Sequence, residues 1–291
     1  MGVEFYERQK YNVDYRANGK TGSRVAAKLT QLQYPVRLAG RTKPGNWEGT
    51  DYVYFDWYDE STHTQALMNV DKVYLVVPVL DVNPAKVMIP FIERALREGV
   101  QRFVLLGSAS VPEDGPVFGP VHQALRRLAP EWAVLQPSYF MENFTEGQHV
   151  ETIKNNKAIY SATQNGRIGF VSADDIAEVG VRALIDDKPH NTAHVITGPQ
   201  TLTYNEVAEI IGKSTVQPIQ HISLSDEELK AGMVRAGMPE EYADMLAGLD
   251  RRIRENGSED QVADTVKLVT GRCPVSFEQF VLSHRNSWKT S

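Results

Sequence analysis

One cysteine, Cys273, stands among 291 residues, so no internal disulfide framework can form and a reducing compartment fits. No apolar run approaches the ~18 residues that would span a bilayer. The opening Met1-Gly2-Val3-Glu4-Phe5-Tyr6 lacks the apolar core of a signal peptide, and Tyr6 stands where a myristoylation motif wants Ser or Thr. There is no Lys/Arg-rich run, and a net charge of −6 offers no broad basic face, which argues against a nucleic-acid partner. Neither a Walker loop nor a Gly-x-Ser-x-Gly elbow occurs. His190 and His194 have a metal-like spacing, but no third ligand or adjacent glutamate accompanies them, and no metal is expected. These absences predict a soluble, cytoplasmic protein with neither membrane nor nucleic-acid partners.

What is present is alternation. Short apolar runs at 36–40, 52–55, 73–77, 103–107 and 133–135 mostly lack period-two polarity, as strands covered on both faces should. Between them, 22–32, 85–98 and 117–128 carry apolar residues near helical spacing. The pattern predicts an α/β fold: a Rossmann-type, doubly wound, mainly parallel sheet. A single domain of 1–291 is expected, its Rossmann core at about 11–150 and a smaller C-terminal substrate-binding lobe at about 151–291. In that second half, 158–161 and 168–171 flank Gln164-Asn165-Gly166 and predict a hairpin. Capping boxes start helices at Thr203/Glu206, Ser225/Glu228 and Ser276/Gln279, and Ser172 starts another. The Met-, Ala- and Leu-rich stretch 233–247 predicts a packed helical pair.

Gly19-Lys20-Thr21-Gly22 leads directly into the first helix. In a Rossmann unit such glycines let the backbone approach a pyrophosphate at a helix N-terminus. Arg16 occupies the position of the fingerprint's first glycine, where a left-handed turn would cost an L-residue roughly 1–2 kcal/mol. The strand before it, 11–15, carries Asp14, costly to bury unpaired. Either nucleotide binding was weakened here, or residues 1 to about 16 are a foreign segment on an ordinary Rossmann protein. Arg41, just past the second strand, suits the 2′-phosphate of NADP(H) as well as it suits solvent. Val77 belongs to the same crevice, and Pro137 and Phe140 follow the sixth strand into it.

The Tyr-x-x-x-Lys pair of most short-chain dehydrogenases is missing: only Tyr6 has a lysine four residues on, at Lys10, ahead of the cofactor domain. Reducing a ketone needs hydride and then a proton, whereas reducing an iminium ion needs hydride alone. The absence therefore fits an imine or iminium acceptor, and equally a protein without redox chemistry. Candidate catalytic groups are Ser108, His122 and Tyr139; each has a bland alternative, as loop cap, helix-face structural residue and core ring. Tyr139, Met141, Glu142 and Asn143 are candidates for substrate binding.

The motifs carry a family resemblance. Gly19-Lys20-Thr21-Gly22-Ser23-Arg24, Phe55-Asp56-Trp57, Arg102-Phe103-Val104-Leu105-Leu106, Phe140-Met141-Glu142-Asn143-Phe144, Phe170-Val171-Ser172-Ala173-Asp174-Asp175 and Gly257-Ser258-Glu259-Asp260 resemble the NmrA-like atypical short-chain dehydrogenases of the ergot-alkaloid type, the festuclavine and agroclavine dehydrogenase group. The resemblance spans roughly 17–288. It implies NADP(H) and reduction of an iminium intermediate, a small molecule of secondary metabolism. Gly107 replaces a serine of that pattern, Gln136-Pro137-Ser138-Tyr139 replaces Arg-Pro-Thr-Trp, and Gly169 replaces a proline. Three readings stand: an NADPH-dependent reductase of C=N or conjugated C=C bonds, a non-redox cyclase or isomerase on the same scaffold, and a dinucleotide-sensing regulator. Homodimers are common in this fold group, and no stretch of the sequence specifies an interface.

Overall fold

The computed structural model describes residues 19–43 and 51–288, together with the backbone of 11–14. Arg16 and the side chain of Asp14 lie outside the described residues. Nine strands occur among them: β1 Tyr11–Asp14, β2 Val36–Gly40, β3 Asp51–Tyr54, β4 Val70–Val76, β5 Arg102–Leu106, β6 Glu131–Pro137, β7 Ala158–Ser161, β8 Thr192–Ile196 and β9 Gln220–Ser223. The main helices are α1 Gly22–Gln31, α2 His63–Leu67, α3 Ala85–Arg97, α4 Gly119–Leu128, α5 Val150–Asn156, α6 Ala173–Ile185, α7 Tyr204–Thr215, α8 Asp226–Arg235, α9 Glu240–Asn256, α10 Thr265–Thr270 and α11 Phe277–Ser283.

Seven strands form one sheet in the order β3-β2-β1-β4-β5-β6-β8, and every pairing is parallel. The unbroken apolar strands have a simple cause. Phe103 and Leu105 of β5 feed one core with α3 and α4, while Val104 between them feeds the opposite core with α1 and α6. A strand with two covered faces has no position for a polar residue. Arg102 is the exception at the start of β5: its guanidinium pairs with Glu131 at 2.6 Å and donates to the carbonyls of Leu184 and Asp186 at the end of α6.

A third core lies beyond the sheet, where Phe144, Phe170, Tyr204, Phe277, Phe280 and Trp288 pack together. All three expected capping boxes close, and the Ser172 Oγ accepts from the Asp174 N–H. The helical pair is α8 against α9. Two expectations are corrected. Residues 158–161 and 168–171 form no hairpin: β7 pairs in parallel with β9, while Ile168 bridges Leu202 and Val171 bridges Phe140. A turn does form, with the Gly166 N–H on the Thr163 carbonyl, but Ile168 and Val171 are buried in two different cores, and that packing outweighs local pairing. The sheet is also incomplete at residue 150, because α6 and β8 return from the second half to cover and extend it.

Candidate functional site

The strand order reverses direction at β1 and β4, and open α/β sheets bind ligands beside such a switch, outside the carboxyl ends of the strands. A cavity of about 420 Å³ lies there. Gly19, Lys20 and Thr21 bring the entrance to α1; Val76 and Val77 follow β4; Leu106, Gly107 and Ser108 follow β5. Pro137 to Phe140 and Asn143 follow β6, Phe118 precedes α4, and Tyr242 reaches in from α9.

The entrance suits an anion. Thr21 caps α1 without a side-chain hydrogen bond, and the first turn holds no acid. The helix's own cap and first turn therefore bring no carboxylate to its positive end. Lys20 stands beside it, its Nζ donating to Asn143 Oδ1 at 2.7 Å. A dinucleotide's pyrophosphate would be held here by Gly19, Lys20, Thr21 and the N–H groups of α1, with Gly22 buried where the helix begins. Arg41 is exposed just past β2, outside this cavity, with the Tyr58 phenol within range of its charge.

Of the residues expected from sequence, Gly19, Lys20, Thr21, Val77, Ser108, Pro137, Tyr139, Phe140 and Asn143 converge on the cavity. Five do not line it: Gly22 is buried at the start of α1, Arg41 lies outside past β2, and His122, Met141 and Glu142 turn elsewhere. His122 is buried against Trp132, with ring centroids 5.6 Å apart, and its Nε2 has no hydrogen-bond partner among the described residues. It sits on the inner face of α4, which packs on the sheet, and burial lowers its pKa. Met141 is core, and its backbone N–H bonds the Val171 carbonyl. Glu142 turns inward to accept the Ala173 N–H at 2.9 Å, fixing the start of α6. Burial raises its pKa against the pull of that bond and of Arg24.

Tyr139 is in the cavity wall, edge-on to Phe170 with centroids 6.5 Å apart. Burial, then the nearby Asp250, push its phenol well above the ordinary tyrosine pKa, so it stays neutral. Three elements escaped the sequence reading. Tyr242 and Phe118 gave no signal beyond helical periodicity. Glu259, visible only as part of a family motif, lies wholly buried behind the cavity, bonded to Ser110 and Ser138.

A second, more open cavity of about 560 Å³ lies by the first residues of β8. It holds the histidine pair, where His190 Nδ1 meets His194 Nε2 at 2.8 Å and His190 Nε2 meets Asp186 at 3.1 Å. Burial, then His190, bring His194 down to about 4. This cavity lies at the amino ends of the strands, away from the switch point.

The model of the NmrA-like family matches residues 16–280. The chain belongs to the NmrA-like family. This NmrA-like protein is 47% identical over 270 residues to the uncharacterized oxidoreductase YesF of Bacillus subtilis, covering 93% of each chain. It is 39% identical over 283 residues to the agroclavine dehydrogenase of Claviceps fusiformis, covering 93% of this chain and 96% of that one. Both relatives are oxidoreductases by name, and this NmrA-like chain is an oxidoreductase. Triphenylmethane reductase of Citrobacter sp., solved with NADP(H), superposes with a TM-score of 0.79 at 17% identity, over 95% of this chain and 100% of that one, which establishes the shared Rossmann-type fold. Among the described residues no helix is long and apolar enough to cross a membrane.

Proposed function

We propose that this protein is an NADPH-dependent reductase of a small molecule bearing an iminium, imine or conjugated C=C bond. One observation carries the reading. The cavity joins an anion-ready helix end to an aromatic pocket, and among its described lining residues there is no carboxylate and no imidazole. Bound NADPH would supply hydride. Lys20, Thr21 and the start of α1 would hold its pyrophosphate, and Arg41 would face the 2′-phosphate. Val76, Val77 and Pro137 would form the apolar seat beside the reacting carbon and exclude water. Tyr139, Phe140 and Tyr242 would lie against a flat, unsaturated acceptor, their π faces favouring a cation. An iminium ion needs no proton after hydride addition, so the missing Tyr-Lys pair is no obstacle. A non-redox cyclase or isomerase would need no hydride donor at this entrance.

Calorimetric titration with NADPH and NADH tests this first. Micromolar NADPH binding is expected, with NADH weaker, and Arg41→Ala should erase a preference on the order of tenfold. Absence of binding by either nucleotide refutes the reductase reading. Oxidation of NADPH by a cyclic iminium salt is the second measurement.

A further inference from the structure

We propose that Ser110, Glu259 and Ser138 form a proton relay that leads from the protein surface to the wall of the cavity. The relay rests on the reductase reading for its use, although its chemistry can be measured without it.

Glu259 is fully buried, and its two carboxyl oxygens are divided between two hydroxyls. Oε2 accepts from Ser138 Oγ at 2.5 Å, and Oε1 accepts from Ser110 Oγ. Ser138 lines the cavity, whereas Ser110 is only half-buried, on the loop after β5. A carboxyl group can take a proton on one oxygen and release it from the other. A hydroxyl donates and accepts at once, so the three groups make a continuous path. The backbone fixes the carboxyl in place. The Gly169 N–H donates to the Glu259 carbonyl at 3.1 Å, a bond that a proline at 169 would lack. A Cβ on Gly169 would meet the Gln261 carbonyl oxygen at 2.6 Å, so a bare backbone is needed for this approach.

The charged and titratable groups facing Glu259 are Arg252 of α9 and the Tyr139 phenol. Burial raises the Glu259 pKa, and the two serine bonds and Arg252 only partly oppose it. Burial thus favours the protonated carboxyl relative to an exposed glutamate. Tyr139 holds its own proton too tightly to compete.

The step balances for a neutral conjugated C=C acceptor. Hydride from the reduced nicotinamide, which becomes oxidised, forms a C–H bond at one end of the double bond. The displaced π pair takes the Ser138 hydroxyl proton at the other end, or on the conjugated heteroatom. Ser138 recovers a proton from Glu259, and the carboxylate regains one from water through Ser110. Neutral acceptors thus join cations within the substrate class, despite the missing Tyr-Lys pair.

Infrared difference titration of the wild type against Glu259→Gln reads the carboxyl directly, with no cofactor present. A protonated-carboxyl band should titrate above the ordinary glutamate range, vanish in Glu259→Gln and move in Ser138→Ala. A carboxylate that stays ionised down to the ordinary range or below overturns the relay. Turnover supplies the second arm, with NADPH and two acceptors, a neutral enone and a cyclic iminium. The enone-to-iminium rate ratio should fall on the order of 100-fold in Glu259→Gln and in Ser138→Ala. The enone rate of the wild type should fall as pH rises through the carboxyl's titration, and this limb should be absent from Glu259→Gln. Equal losses on both acceptors overturn the relay in favour of a structural role. If Glu259→Gln does not fold, Ser138→Ala carries both arms. Failure of NADPH to bind while Glu259 titrates as described refutes the reductase reading and leaves the relay; a permanently ionised Glu259 in an enzyme that oxidises NADPH does the reverse.

Discussion

The sheet and the C-terminal lobe are held by different physics. Strands β4 and β5 are apolar on both faces, with Val73, Leu75, Phe103 and Leu105 on one side and Tyr74, Val76 and Val104 on the other. Around the lobe and its seam with the sheet, buried carboxylates span long stretches of chain. Glu142 takes the Ala173 N–H, Asp175 the Val275 N–H, Asp250 the Ala162 N–H, and Glu259 two serines. Burial raises the pKa of all four. The apolar centre of β4 and β5 thus holds no carboxylate among the described residues, and the lobe is a polar closure whose strength depends on protonation. The cavity sits where the two meet, lined by residues from the strand ends and from α9.

The comparison breaks at the sheet first. Leu105→Ala removes a fully buried side chain and should cost about 4 kcal/mol, nearly the same at pH 5 and pH 8, by urea unfolding. An effect that changed steeply with pH would erase the distinction.

Asp250 sharpens it with the opposite sign. Burial raises its pKa to about 6 from 3.8, so the native state favours the protonated carboxyl. That contribution is fully present below about pH 4 and is lost as pH rises through about 6. Asp250→Asn keeps an acceptor for Ala162 and should stabilise by up to roughly 3 kcal/mol at pH 8, with little effect at pH 4. Destabilisation at pH 8 would show that the charge is compensated.

Glu142→Ala should cost about 2 kcal/mol, because the buried Ala173 N–H loses its acceptor, whereas Glu142→Gln should cost less. Equal losses would mean that packing, not the hydrogen bond, ties α6 to the cavity loop. The smallest effect belongs to the exposed cap of α8. Ser225→Ala should lower stability by about 1 kcal/mol, with no change in NADPH affinity.

Much of this was legible in the residues. Alternating apolar runs and helical stretches predicted a parallel sheet covered on both faces, and Gly19 to Gly22 marked the entrance to α1. Ser172, Thr203, Ser225 and Ser276 marked helix starts, because a cap needs only residues within one turn. The Lys20–Asn143 pair was half legible, since each partner was a candidate and their meeting was not. His122 and Glu142 misled, because a polar residue in a helix or loop looks the same whether it faces a cavity or a neighbouring backbone N–H.

The sequence by itself determined the periods, the caps and the absence of the Tyr-Lys pair, all set by short-range sterics and hydrogen bonding. Only the tertiary structure decided that β7 would pair with β9, that α6 and β8 would rejoin the sheet, and that Glu259 would reach Ser138 from 121 positions away. Burial and proton affinity depend on what surrounds a group in space, and neighbours along the chain do not specify that.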